Sequence, residues 1–374
     1  MLEDARWGGP QKRSADVAEA LSGAVDTLVV LPARESNRFL RELADRKVTS
    51  VTVDIAPRQR SLMAICKFLL MLPRDVWTLR NCIVQHKADV VHVNGGANWR
   101  GQFAARLAGV PVLWHLIETR LDRISLLGFS MFWRLARGFI SASQRSERYY
   151  LAGLDLGQRW KFCFSEPVNC EIFVPNPVRG KTGITVGLIG NINPDKDILN
   201  FVRAAKILLS ATPGCAQFKI AGGRYDSQRD YIEKVHSENQ LPPHGEQAVS
   251  LLGASDQIAD FLNGLDIYVC SSANESSPIS IWEALACGLP VVSTDVGDVK
   301  QLNESGGFAF VVPTSDPEAL AAAINQLIHS PELRTRLSQN ARKFALDQLE
   351  LSICARRHLE AYCKIVGIEP ISAP

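Results

Sequence analysis

Residues 266–297 read DIYVCSSANESSPISIWEALACGLPVVSTDVG. The opening run, DIYVCSS, is apolar and β-branched in the manner of a buried strand. A polar loop follows and presents Glu275, and a helix starts near Pro278–Ser280, where proline and serine suit a first turn. Cys287-Gly288 closes that helix ahead of a second apolar run, PVVSTDV. Two strands joined through a helix form the repeating unit of a parallel sheet. The amino end of such a helix offers backbone N–H groups and a positive dipole end to a phosphate. Glu283 lies about one turn inside it, on the side where a sugar hydroxyl can be met. Glu275, in the loop ahead, reaches another part of the same ligand.

The same alternation runs along the chain on either side. Apolar runs at 27–32, 88–94, 110–116 and 138–143 form a first series separated by helix-like segments. A second series falls at 184–190, 218–223, 248–253, 266–272, 290–296 and 308–313. Continuous Val/Ile-rich strands separated by helices predict parallel sheets covered on both faces. Two series in 374 residues predict two doubly wound domains. Their junction is placed in 166–182, which holds three prolines and no helical period. The expected division is 1–175, 176–350 and a C-terminal helix at 351–374 crossing back to the first domain, the tail from Pro331 being helical to about Val366. Ligands of open parallel sheets bind beyond the carboxyl ends of the strands, so the site is expected in a cleft between the domains.

Composition excludes other classes. Hydrophobic residues make up 46% and charged residues 21%, the balance of a globular chain. The first twenty residues are polar, and no apolar run of about 18 residues occurs, so neither a signal peptide nor a spanning helix is predicted. The expected location is cytoplasmic, with peripheral contact at the inner face of the membrane left open. Nine cysteines stand singly without a Cys-x-x-Cys pair, which argues against a disulfide framework or a zinc site. Residues 1–175 carry 24 Lys+Arg against 17 Asp+Glu, a balance of +7, while the remainder is at −5. A basic first half points to an anionic partner, either a phosphorylated substrate or an acidic membrane surface. The segment 123–140, RISLLGFSMFWRLARGFI, suits a helix packed on the sheet or one lying on a membrane with arginines on lipid phosphates. No basic-aromatic cluster of nucleic-acid type stands out.

The spacing Glu275–Glu283, followed by Ala284, Ala286, Gly288, Pro290, Val291 and Val292, resembles the signature of glycosyltransferase family 4. These are retaining nucleotide-sugar enzymes of GT-B fold, with two Rossmann-like domains facing a cleft. The resemblance extends over most of the chain: WGGPQ (7–11) is similar to the family's Gly-Gly loop, GVPVLWHLIE brings His115 to the cleft, and GLIGNINPDKD opens the donor domain. It implies transfer of a hexose-type sugar from a nucleotide-diphosphate donor, UDP or GDP being open, to a glycan or lipid-linked acceptor. It further implies that Glu275 orients the donor sugar and Glu283 holds the ribose. The amides of Ser277, Pro278, Ile279 and Ser280 would hold the distal phosphate, although proline itself brings no N–H. Gly9 and Lys196 would approach the diphosphate, and His115 the reacting face. No metal and no cofactor beyond the donor are implied. From the residues alone, His115 at the end of a buried strand is equally a satisfied structural histidine.

Departures from the family pattern bear on activity. Asn191 stands where the family has arginine, Asp197 where it has glycine, and Ser276 where the second motif position is glycine. One of two cations expected at the diphosphate is therefore absent, and Arg224 is a candidate replacement. The Gly-Gly loop normally follows a strand, and the seven residues before it leave the first strand missing. These features keep two alternatives open: a catalytically weak nucleotide-sugar-binding relative, and a GT-B nucleotide-sugar epimerase.

Overall fold

The computed structural model describes residues 1–2, 4–5, 8–56, 62–176, 183–241 and 246–369, apart from the side chains of 62–67 and 69. Trp7 of the Gly-Gly loop and residues 177–182 of the expected junction lie outside the described residues. The chain divides into two compact units, the first holding residues up to Glu166 together with the segment from Leu351, the second Pro167–Glu350.

The first unit runs α1 (Gly9–Ala20), β1 (Leu28–Pro32), α2 (Asn37–Asp45), β2 (Thr49–Val53), α3 (Leu62–Gln85), β3 (Val91–Asn94), α4 (Trp99–Ala108), β4 (Val112–Leu116), α5 (Arg123–Phe132), β5 (Gly138–Ser141), α6 (Gln144–Leu151) and β6 (Trp160–Cys163). β1 pairs in parallel with β2, and β3-β4-β5-β6 form a separate parallel sheet. Between β1 and β3 the described residues form no strand, but Leu2 donates to the Val30 carbonyl and the Asn94 N–H donates to the Met1 carbonyl. Residues 1 and 2 thus occupy the slot in which a strand ahead of the Gly-Gly loop would pair.

The second unit runs β7 (Thr185–Ile189), α7 (Ile198–Ala211), β8 (Gln217–Ala221), α8 (Arg229–Glu238), β9 (Gln240–Leu241), β10 (Glu246–Gln247), β11 (Ser250–Leu251), α9 (Ile258–Asn263), β12 (Ile267–Cys270), α10 (Ile279–Ala286), β13 (Val291–Thr294), α11 (Val299–Gly306), β14 (Ala309–Val312), α12 (Pro317–His329) and α13 (Pro331–Phe344). Its main sheet is parallel, in the order β11-β8-β7-β12-β13-β14. Alternate residues of β12 enter opposite cores. Ile267 and Val269 pack with Phe201, Val202 and Ile324 on one face. Tyr268 and Cys270 pack with Ile281, Trp282 and Leu285 on the other. Double-sided burial is why these strands read as unbroken apolar runs.

The tail from Pro331 is helical to Val366 in two main pieces. α13 ends at Phe344, a π-helical turn spans Ala345–Leu349, Glu350 is extended, and α14 (Leu351–Val366) begins anew. Glu350 breaks the helix because it pairs with Val168. The same pairing draws the incoming segment into the second unit, so that unit begins at Pro167, ahead of the boundary expected at 175. α14 packs on α1 and β4 in the first unit.

Candidate functional site

Strand order reverses between β7 and β12, since β8 and β11 follow on one side and β13 and β14 on the other. The carboxyl ends of two such strands flank the crevice in which open α/β sheets bind ligands. The segment after β7 carries Asn191 and Lys196, and the segment after β12 carries Glu275. The Lys196 ammonium is ion-paired with Glu275 Oε1, to which Ser272 Oγ also donates at 3.1 Å. The two segments are sewn together by backbone as well. Ser271 Oγ donates to the Lys196 carbonyl at 2.9 Å, and the Ala273 N–H to the Asp195 carbonyl at 2.8 Å. Burial opposes the charge on Lys196, but Glu275 outweighs it and raises the ammonium pKa, so Lys196 stays cationic.

Lys196 is set by its own turn. Asn193 caps the short helix Pro194–Lys196 by accepting from the Lys196 N–H at 3.0 Å. Asp197 then takes the left-handed conformation, φ 42°, which explains glycine as the expected residue there. Asp197 is held by Ser315 Oγ, which donates to its carboxylate at 2.8 Å. Asn191 closes the neighbouring loop: its Oδ1 accepts from the Gly223 N–H at 3.1 Å. A Cβ on Gly222 would run into the Gly190 carbonyl, so these two loops meet backbone to backbone. Arg224, beside them, is exposed.

α10 starts at Ile279 with Pro278 as N-cap and no side-chain cap; the Ile281 N–H donates to the Pro278 carbonyl at 2.9 Å, and the N–H groups of Ile279 and Ser280 ahead of it point out of the helix's amino end. Ser277 Oγ accepts from Trp282 Nε1 at 2.9 Å, fixing the turn before the helix. Glu283, inside the helix, is 7% exposed. One residue missed from sequence controls this loop. The Gly297 N–H donates to the Glu275 carbonyl at 3.1 Å, φ at Gly297 is 53°, and a Cβ there would run into the Ser276 carbonyl. The signal was present as the glycine ending the second strand's loop, in Asp-Val-Gly. Gly297→Ala is expected to displace Glu275, lowering nucleotide-sugar affinity at least tenfold and stability by about 1–3 kcal/mol. Calorimetric titration and urea unfolding of the variant check this, and unchanged affinity would remove Gly297 from the site.

Gly9 and His115 belong to the first unit. Gly9 opens α1, with Gly8 at the N-cap and Pro10 in the first turn. His115, expected at the reacting face, is 1% exposed on β4. Its Nδ1 accepts from Arg13 Nη1 at 2.9 Å, and Glu166 Oε1 lies 4.0 Å from Nε2. Arg13, itself buried on α1, also bonds Asn94 Oδ1, approaches His358 Nε2 at 3.5 Å and pairs with Glu166 at 3.1 Å. His92 stacks on His115 and shares a hydrogen bond of 2.8 Å with the Tyr362 hydroxyl. One guanidinium therefore joins α1, the ends of β3 and β4, and α14.

Burial first, and Arg13 second, lower the pKa of His92, His115 and His358, the last to about 3. The imidazoles stay neutral when folded, whereas unfolded histidine takes up a proton near 6.5. Stability is therefore full above about pH 6.5 and falls as pH drops below it, by ~1.4 kcal/mol per unit for each such histidine. Glu166, raised by burial against the opposing pull of Arg13, takes a proton more readily folded and works in the opposite sense at the acid end. Urea midpoints between pH 8 and pH 5 check the slope. A flat profile would contradict neutral, buried histidines.

Among the described residues no His, Cys, Asp or Glu side chains group as a metal site, and no helix is long and apolar enough to cross a membrane.

Two family models match this chain. "Glycosyl transferases group 1" covers residues 172–344 and "Glycosyl transferase 4-like domain" covers 8–156. An N,N'-diacetylbacillosaminyl-diphospho-undecaprenol alpha-1,3-N-acetylgalactosaminyltransferase from Campylobacter jejuni is 24% identical over 365 residues, 91% of this chain and 92% of that protein. An N-acetyl-alpha-D-glucosaminyl L-malate synthase from Bacillus anthracis is 30% identical over 105 residues, 28% of each chain. Among solved structures, Anabaena HepE in complex with UDP-glucose has a TM-score of 0.81 at 20% identity, covering 97% of this chain and 98% of its own. A glycosyltransferase from Rickettsia africae also has a TM-score of 0.81, at 15% identity, over 98% and 97% of the two chains.

Proposed function

The chain belongs to the family 4-type glycosyltransferases of GT-B fold, and we propose that it moves a hexose-type sugar from a nucleotide-diphosphate donor with retention at the anomeric carbon. The observation that carries this reading is the Lys196–Glu275 pair at the strand-order reversal, beside the uncapped amino end of α10. A nucleoside diphosphate leaves with added negative charge. Lys196 and the first-turn amides of α10, over Ser277–Ser280, would stabilise that charge without reorganising, which is the largest single source of rate in such sites. In this role they stand where a divalent cation would otherwise be needed. Glu275 would accept hydrogen bonds from donor-sugar hydroxyls, exchanging part of its contact with Lys196 for the sugar as the ammonium turns to the phosphate. Glu283 would hold the ribose. Gly9 would bring α1's backbone to the diphosphate, and His115, locked against Arg13, would act by positioning the first unit's strand ends.

Asn191 contributes no charge at the diphosphate; it spends its carboxamide on the loop at Gly223. The acceptor we propose is a glycan or lipid-linked sugar, supported by the Campylobacter relative, whose name places its acceptor sugar on diphospho-undecaprenol. Incubation with UDP- and GDP-sugars, following nucleotide release by NMR, tests the reading. Release of nucleotide with an α-linked donor giving an α-linked product supports it. Binding without turnover, with lipid extract as acceptor, would refute transfer, and recovery of an isomerised donor would replace it with epimerase chemistry.

A further inference from the structure

A phenol lies enclosed beneath the first turn of α10. Tyr268, on β12, is 0% exposed and packs in one core with Leu265, Ile281, Trp282 and Leu285. It stands in register between Gly187 of β7 and Val291 of β13. Its hydroxyl finds no hydrogen-bond partner among the described residues. A buried hydroxyl without a partner costs stability that a phenylalanine ring would not, so the oxygen at this position calls for a physical reason. Two groups nevertheless act on it: the Ser280 side chain, in the first turn of α10, and the Ile189 backbone, at the end of β7. Burial pushes the phenol pKa well up against the pull of both, so Tyr268 keeps its proton and has it to donate.

The start of α10 is already fixed from the core at one point, where Trp282 Nε1 donates to Ser277 Oγ at 2.9 Å. Tyr268 belongs to the same core and acts on the same turn at Ser280, whose side chain is half-buried. A serine hydroxyl accepts and donates at once. Once Ser280 Oγ accepts from the phenol below, its own proton is directed out of the core, to the amino end where the Ile279 and Ser280 N–H groups point. An anion seated there completes a chain of two hydrogen bonds, and its charge strengthens both. Asn191 brings no cation to this crevice, because its carboxamide is held at Gly223. An oriented hydroxyl on α10 meets part of that deficit without rearranging as charge builds up.

We infer that Tyr268 is a positioning residue for the leaving diphosphate: it donates to Ser280 Oγ, and Ser280 Oγ donates in turn to the distal phosphate, beside the Ile279 and Ser280 amides. This inference rests on the reading of α10 as the phosphate site, and a nucleoside monophosphate, which lacks the distal phosphate, is its control. Calorimetric titration of the full chain with UDP, UMP, GDP and GMP tests it. Tyr268→Phe should lower diphosphate affinity about threefold to tenfold and Ser280→Ala about tenfold or more, with monophosphate affinity within about twofold of the parent in both. Tyr268→Phe/Ser280→Ala should bind the diphosphate no more weakly than Ser280→Ala alone, because Tyr268 acts only through Ser280. The urea midpoint of Tyr268→Phe should equal or exceed the parent's, since the ring stays and only the unpartnered oxygen goes. Four results would overturn the inference while leaving diphosphate binding in place: unchanged diphosphate affinity in Tyr268→Phe, an equal loss for monophosphate and diphosphate, a double variant weakened by the product of the two single losses, or a lowered midpoint. A parent that binds neither UDP nor GDP would overturn the donor reading, and this inference with it.

Discussion

Glu275→Gln is expected to lower the rate of sugar transfer by about a hundred- to a thousandfold while nucleotide affinity stays within about threefold, the pattern for a group that acts on the developing transition state. Glutamine keeps the volume and one acceptor but loses the charge that Lys196 and Ser272 now meet. Lys196→Ala should differ in kind. It removes the cation that faces the leaving diphosphate and leaves Glu275 without its partner, so both nucleotide affinity and transfer rate should fall. Measured separately as a dissociation constant for the nucleoside diphosphate and a single-turnover rate, the two variants should split in this way. A Glu275→Gln enzyme that transfers at the parental rate would remove the central assignment.

Arg13→Ala should be the most damaging substitution to stability, about 3–5 kcal/mol, which is a large share of what holds a domain folded. The arginine is buried beside an equally buried Glu166 and bonds Asn94 and His115. Truncation strands the carboxylate and orphans the ring nitrogen at once. The companion variant Arg13→Met/Glu166→Gln, which removes both charges, should recover a substantial part of the loss, because a neutral pair carries no desolvated charge. Urea midpoints of the parent, Arg13→Met, Glu166→Gln and the double variant give the coupling directly. A single variant within about 1 kcal/mol of the parent would mean that water, not Arg13, satisfies the cluster.

How much of this was legible in the sequence depends on how local each feature is. The stretch 266–297 declared its strands, its helix and its two carboxylates because every element there is made within about fifteen residues of chain. β2 gives no clear strand signal because TSVTV is half-exposed and rich in hydroxyls, and β6 gives none because WKFC is an edge strand with little apolar contrast. The pairing that holds Glu350 extended is with Val168, far back in the chain, and no local pattern connects the two. The Arg13 cluster gathers residues 13, 92, 94, 115, 166, 358 and 362, and no spacing rule connects them. That is why the sequence leaves His115 open between the reacting face and a structural role, while in the structure it is enclosed and held neutral by burial. Asp197 is the opposite case: a departure from glycine that sequence could only count as a mismatch, and which the structure resolves into a left-handed residue tied to Ser315.

On the proposed function, the second unit binds a nucleotide-diphosphate sugar across Glu275, the amino end of α10 and Glu283. A crystal of the protein soaked in turn with UDP- and GDP-sugars tests it most directly. Sugar hydroxyls are expected on Glu275, ribose hydroxyls on Glu283, and the distal phosphate on Lys196 and the amides over Ser277–Ser280. A donor whose diphosphate lies away from α10, or whose ribose leaves Glu283 untouched, would contradict it.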